Sequence, residues 1–427
     1  MLRFLQRYYL LFIFLLFIPV TIQKIEPNPR SLIWSDTEGY YMYLPGLFII
    51  NDLHKIPEGS MNVRKNEKNE VVIKYTYGVS IFYFPFFVAA KYLSGTFGYD
   101  YSDYFNPVYC YAIAVSGYLF GFLGLFVLQR SLRRYFSEIV VALTVLSIFM
   151  GTNLFYYITR QMSMSHGYSF FLFSLILWLT PKWYRSPDTR NTVLLGLITG
   201  WIILIRPTNI FILLFFIGYD IYNRGQLSER IRFLVNQKAK LALAAVSGFI
   251  MFIPQMLYWH EMTGSFLRYS YEGEEFIYWN KPKIAEVLFD VQNGLFLYSP
   301  IVLFSIIGIF MGLRQKKAQA PSVGIIFIII TYIFASWWAW WFGGAFGHRC
   351  YIEFYAILAL PMALFFTRIL SARSVAVRYG VLLLTIFLNY YGVKMAALYS
   401  KLPGPWDGKD WIWNFDKIKW IWSYLFK

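Results

Sequence analysis

Tyr8-Tyr9-Leu10-Leu11-Phe12-Ile13-Phe14-Leu15-Leu16-Phe17-Ile18-Pro19-Val20-Thr21-Ile22 is an apolar run that follows Arg3 and Arg7. Behind basic residues, such a run is either a secretory signal or a membrane anchor. The continuation, Gln23-Lys24-Ile25-Glu26-Pro27, offers no small-x-small cleavage site, so an uncleaved anchor with its N-terminus inside is expected. Further apolar runs fall at about 105–128, 138–157, 166–181, 192–205, 207–222, 241–259, 295–313, 322–341, 351–367 and 379–397. Each approaches the length that crosses about 30 Å of hydrocarbon. The expectation is an all-α integral membrane protein of about 11 transmembrane helices, N-terminus in and C-terminus out.

Composition agrees with that expectation. Of 427 residues, 58% are hydrophobic and only 15% charged, and the mean hydropathy is +0.47. Soluble domains carry about a quarter charged residues, so this chain has more apolar surface than one core hides. Aromatics make up 22%, and Tyr and Trp collect at headgroup interfaces. The net charge of +16 is unevenly spread. Nineteen Lys/Arg against four acids (Glu138, Asp188, Asp220 and Glu229) fall on the inner segments, against twenty and nineteen on the outer ones. The positive-inside rule is thereby satisfied, and the basic excess reports orientation and anionic lipid, with no nucleic-acid partner implied.

Within this layout residues 1–402 form the transmembrane unit, with a first outer loop, 23–104, and another at 260–294. Val79 to Leu93 is short, contains Pro85 and ends near Lys91, so it reads as an interfacial helix in the first outer loop. Residues 403–427 form a Trp-rich segment on the outer leaflet. All four histidines fall outside, so any chemistry is expected there. Cys110 and Cys350 read as packed side chains, and no zinc-type cluster or glycosylation sequon is present.

Trp34-Ser35-Asp36-Thr37-Glu38-Gly39-Tyr40-Tyr41 places two carboxylates in an aromatic setting. Near low dielectric a carboxylate gains proton affinity, which suits a general base; equally, Ser35 or Asp36 can open a helix whose first turn Glu38 completes. His166 is either a polar residue capping a span or part of a site. Arg206, ahead of Pro207, either snorkels or contacts an anion. Trp341-Phe342-Gly343-Gly344-Ala345-Phe346-Gly347-His348-Arg349 delivers a guanidinium behind three glycines. Arg349 fits a phosphate with its donor fork, or pairs with Glu353 one turn on; the flanking aromatics and glycines favour the first.

Together these stretches resemble the polyprenyl-phosphate-sugar-dependent glycosyltransferases of the GT-C superfamily, in the protein O-mannosyltransferase and aminoarabinose transferase-like branch. The resemblance rests on Ser35 to Tyr41, on Lys74-Tyr75-Thr76-Tyr77-Gly78 leading to Phe84-Pro85-Phe86, on Asn293-Gly294-Leu295-Phe296-Leu297-Tyr298-Ser299-Pro300, and on Trp341 to Arg349. It implies an inverting sugar transfer on the extracytoplasmic side of a bacterial inner membrane. Asp36 would be the base and Glu38 its helper. Arg349, His348, Arg206 and Lys74 would hold the donor phosphate, and Tyr40, Tyr41, His166 and Glu353 would line the site. The donor would be a polyprenyl-phosphate sugar, the partners membrane lipid and lipid-linked sugar, and the acceptor is unspecified. No metal ligand set is expected, since two carboxylates are too few to argue for a divalent ion. The rival reading is a non-catalytic polytopic protein, a lipid-handling transporter or a subunit of an envelope assembly.

Overall fold

The computed structural model of the chain describes residues 2–22, 28–58, 62–65, 71–271, 273–399 and 423. In chain order the helices are α1 (Leu2–Ile22), α2 (Asp36–Tyr41), α3 (Tyr43–Phe48), α4 (Ser80–Thr96), α5 (Pro107–Leu132), α6 (Glu138–Met150) and α7 (Leu154–Thr159). Next come α8 (Ser165–Arg185), α9 (Thr189–Ile205), α10 (Ile212–Ile217), α11 (Arg224–Asn236), α12 (Lys238–Ile250) and α13 (Ile253–Thr263). The last are α14 (Ile284–Phe289), α15 (Leu295–Tyr298), α16 (Val302–Gln315), α17 (Ala320–Ser336), α18 (Tyr355–Leu370) and α19 (Val375–Leu398). A hairpin between α3 and α4, β1 (Val63–Lys65) antiparallel to β2 (Val71–Ile73), pairs Val63 with Ile73; the all-α expectation did not include it.

Helix ends follow local chemistry. The Asn106 side chain accepts from the amides of Val108 and Tyr109, and Pro107 takes the first helical position, where no amide partner is lost. Asp188 caps α9 and Ser374 caps α19 in the same way. The helix α18 is buried on every side from Tyr355 to Phe366, the mark of a central helix. Its neighbours come close because small residues face them. A Cβ on Gly308 of α16 would lie 1.9 Å from the Pro361 carbonyl oxygen of α18, and one on Gly200 of α9 would lie 2.3 Å from that of Gly248 on α12. Backbone-to-backbone packing of this kind tolerates only glycine at the contact.

The eleven-span expectation is corrected by the helix lengths. Among the described residues two helices, Pro107–Leu132 and Val375–Ala397, are long and apolar enough to cross a membrane. A third counts if Lys238–Ile250 and Ile253–Thr263, bent by 41°, make one span. The apolar runs are real but interrupted. The run at 138–157 divides at Gly151 to Asn153, that at 207–222 opens as a 3-10 turn after Pro207, and that at 295–313 divides at Ser299 to Ile301. Composition counts apolar residues across such breaks, whereas a crossing needs continuous helix. The N-in, C-out ladder, the extracytoplasmic face and the bacterial inner-membrane placement derived from it fall with the span count. Large apolar side chains nonetheless remain exposed on α16, α17 and α19, among them Phe310, Ile328, Leu383 and Ile386. The expected interfacial helix is α4, which runs to Thr96 with Pro85 inside and packs on α5. Residues 403–427 lie outside the described residues except Ser423.

Candidate functional site

Ser35 carries the first local signal. Its φ of 55° and ψ of −126° are strained for a residue with a side chain, and its hydroxyl caps nothing. The turn swings Asp36, first residue of α2, into a cavity of about 490 Å³. There Asp36 Oδ2 accepts from Arg349 Nη1 at 2.8 Å and Oδ1 from the Tyr75 hydroxyl at 2.8 Å. Burial opposes the charge of Asp36, but the Arg349 guanidinium first, then the Tyr75 hydroxyl and Lys74, outweigh it and hold the carboxyl below its usual range. Asp36 is therefore ionised at neutral pH. This low proton affinity is the reverse of the raised one expected for a base.

Arg349 arrives on a separate segment of the chain. Phe342, Gly343 and Gly347 all have positive φ, at 55°, 75° and 64°. A side chain at Gly347 would meet the Tyr298 Cβ at 2.9 Å. Asn293 donates to the carbonyls of Trp341 at 2.7 Å and Gly343 at 3.2 Å, and Asn153 donates to that of Phe346 at 3.2 Å. The stretches at 293–300 and 341–349 thus form one clamp. The alternative Arg349–Glu353 pair within a helical turn does not form. Arg349 pairs across the fold with Asp36, and its Nε is buried without a hydrogen-bond partner.

Glu353 instead faces His166 and Arg206. His166 Nδ1 lies 3.2 Å from Glu353 Oε2, both side chains being 1% exposed. A carboxylate only accepts, so Nδ1 carries the proton and Nε2 is left as the acceptor. Burial pushes the imidazole down to about 4 although Glu353 pulls the other way, so His166 is neutral. Arg206 ends α9 in the extended conformation that precedes proline. Its Nη1 is 3.5 Å from Glu353 Oε1, and Nη2 donates to the Cys350 sulfur at 3.0 Å, a weak acceptor. Of the three cavity cations it has the loosest ion pair. Lys74 Nζ meets Glu274 Oε1 at 2.5 Å, joining the end of the hairpin to the segment after Gly264.

Of the residues singled out from sequence, Asp36, Tyr40, Lys74, His166, Arg206 and Arg349 all line this cavity. Glu353 stands behind it as counter-ion. His348 is 1% exposed and faces Phe334 and Tyr351; its Nε2 donates to the Trp340 carbonyl at 3.1 Å. Burial pushes it down to about 3. Glu38 pairs with Arg30 at 2.8 Å, whose guanidinium lies 3.5 Å from the centre of the Phe105 ring. Tyr41 is buried and donates to the Tyr104 carbonyl at 2.5 Å. Sequence reasoning did not assign roles to Tyr75, Tyr271 or Glu274. Tyr75 stands inside the quoted stretch at 74–78, and Tyr271 and Glu274 inside the loop at 260–294, so the signal was regional. Both cysteines are buried free thiols. Among the described residues no group of three or more His, Cys, Asp or Glu is placed to hold a metal ion.

Much of the remaining wall is aromatic, including Trp34, Phe276, Phe334, Trp337, Trp338, Trp341 and Phe342. Three cations facing such a wall can fix an anionic group while the rings cover an apolar or flat body. The GT-C assignment is withdrawn together with its lipid-linked sugar transfer, because the many-span scaffold on which it depends is absent among the described residues. Comparison with known protein families, curated proteins and solved structures finds no match.

Proposed function

We propose that the cavity is a binding site for an amphiphilic anion, a phosphate or phosphodiester headgroup attached to an apolar body. The observation that carries this reading is the convergence of Arg206, Arg349 and Lys74 on one aromatic-walled cavity. Arg206 makes the first contact, because Glu353 lies 3.5 Å away and is itself engaged by His166. Guanidinium matches phosphate through parallel N–H donors, and its partly buried position strengthens each bond. The exposed ring of Trp34 marks the rim, and Trp337, Trp341 and Phe342 face the apolar body. Tryptophan fluorescence supplies the test. Octyl phosphate is expected to perturb emission with at least about tenfold higher affinity than octanol, equivalent to about 1.4 kcal/mol. Equal affinities would remove the anion from the proposal, and no response to either would remove the site.

A further inference from the structure

Resting on that reading, we propose that anion uptake is coupled to protonation of Asp36, whose carboxylate already occupies the position on Arg349 that an incoming anion needs. Each cavity cation faces one carboxylate: Arg349 faces Asp36, Arg206 faces Glu353, and Lys74 faces Glu274. The nearby imidazole of His166 is neutral. An anion that adds to this balanced set brings a charge with no counter-charge, in a site where Asp36 and Arg349 are only 14% and 18% exposed. A proton entering with the anion restores the balance.

Asp36 is where the geometry directs that proton. Once an anion takes Arg349 Nη1, Asp36 loses its nearest cation, keeps the Tyr75 hydroxyl, and gains a negative neighbour. Loss of the cation, burial and like charge all favour the neutral carboxyl. The protonated oxygen then becomes a donor and can bond to the anion itself. Groups facing Asp36 from the packed elements are Arg349, Tyr75, Lys74, His166, Tyr40 and Tyr271, with Arg206 lining the same cavity. Of the neighbouring carboxylates, Glu353 keeps its bond from His166, and Glu274 keeps its bond from Lys74.

The sign follows directly. Asp36 has the higher proton affinity in the complex, so anion affinity is greatest at low pH and falls as pH rises through the complex value, by at most about tenfold per pH unit. Calorimetric titration of the full chain with methyl octyl phosphate, a diester with one fixed charge, is run in buffers of different ionisation heat. Wild type is expected to take up about 0.5–1 proton per anion below neutrality. Asp36→Asn is expected to bind with no uptake and no pH dependence. Tyr75→Phe, which removes a bond to the charged form, is expected to shift the uptake to higher pH. Binding by wild type without uptake overturns the coupling, and uptake that persists in Asp36→Asn assigns the proton elsewhere, His166 being nearest. If the Asn variant fails to fold, the wild-type proton count and the Tyr75→Phe shift decide. Binding of neither wild type nor variant overturns the anion reading itself, and the coupling with it.

Discussion

Breaking the Asp36–Arg349 pair is expected to destabilise the fold as well as the site. The two side chains meet at 2.8 Å with 14% and 18% exposure, so solvent screens them weakly. With charge centres about 4 Å apart and an effective dielectric of about 20, their attraction is roughly 4 kcal/mol. Much of this offsets desolvation of the two ions. A single change such as Asp36→Asn or Arg349→Met leaves the other charge buried and costs about 3–5 kcal/mol. The double variant loses both charges together and should cost no more than either single variant. A double-mutant cycle read by denaturant unfolding should therefore give a coupling of at least about 3 kcal/mol. Additive single effects, with coupling under about 0.5 kcal/mol, would refute a buried, mutually dependent pair.

Other perturbations probe separate links. His348 is held near 3 in the fold against 6.5 as its ordinary value, so below pH 6.5 the unfolded chain binds the extra proton and stability declines. His348→Gln should flatten that part of the stability–pH curve, and an unchanged slope would contradict it. Gly308→Ala would set a methyl 1.9 Å from the Pro361 carbonyl and should cost about 3 kcal/mol or prevent folding. Gly380→Ala meets nothing within 4 Å and should be neutral or gain about 0.5–1 kcal/mol from helix propensity; thermal unfolding compares the two. Lys74→Ala removes the tie to Glu274, so limited proteolysis near the exposed Leu267 should quicken several-fold, and an unaltered cleavage rate would show that the tie does not restrain the segment.

Much of the site was legible as types of residue at marked positions. Asp36, Arg206, His166 and Arg349 stand out because charge is rare in so apolar a chain. Their pairing was not legible. Sequence spacing favours Arg349 with Glu353 and Asp36 with Glu38, whereas the fold joins Arg349 to Asp36 across 313 positions and turns Glu38 to Arg30. Spacing describes one turn of helix, whereas Arg349 and Asp36 belong to segments distant in sequence that meet at the cavity. The helices were also largely located, yet their continuity was not, since Pro207, Gly151 and Ser299 interrupt apolar runs that composition treats as whole. The β1–β2 strand pair escaped because its strands are three residues each, too short for an alternating pattern to register.

Direct observation of a ligand in the cavity tests the central claim. An experimental structure of the chain with an ω-bromoalkyl phosphate would locate the headgroup and the bromine independently. The phosphate is expected within about 3 Å of Arg206 or Arg349 donors, with the bromine beside Trp337, Trp341 or Phe342. A headgroup placed elsewhere, or an unaltered Asp36–Arg349 pair and an empty cavity at saturating ligand, would contradict it.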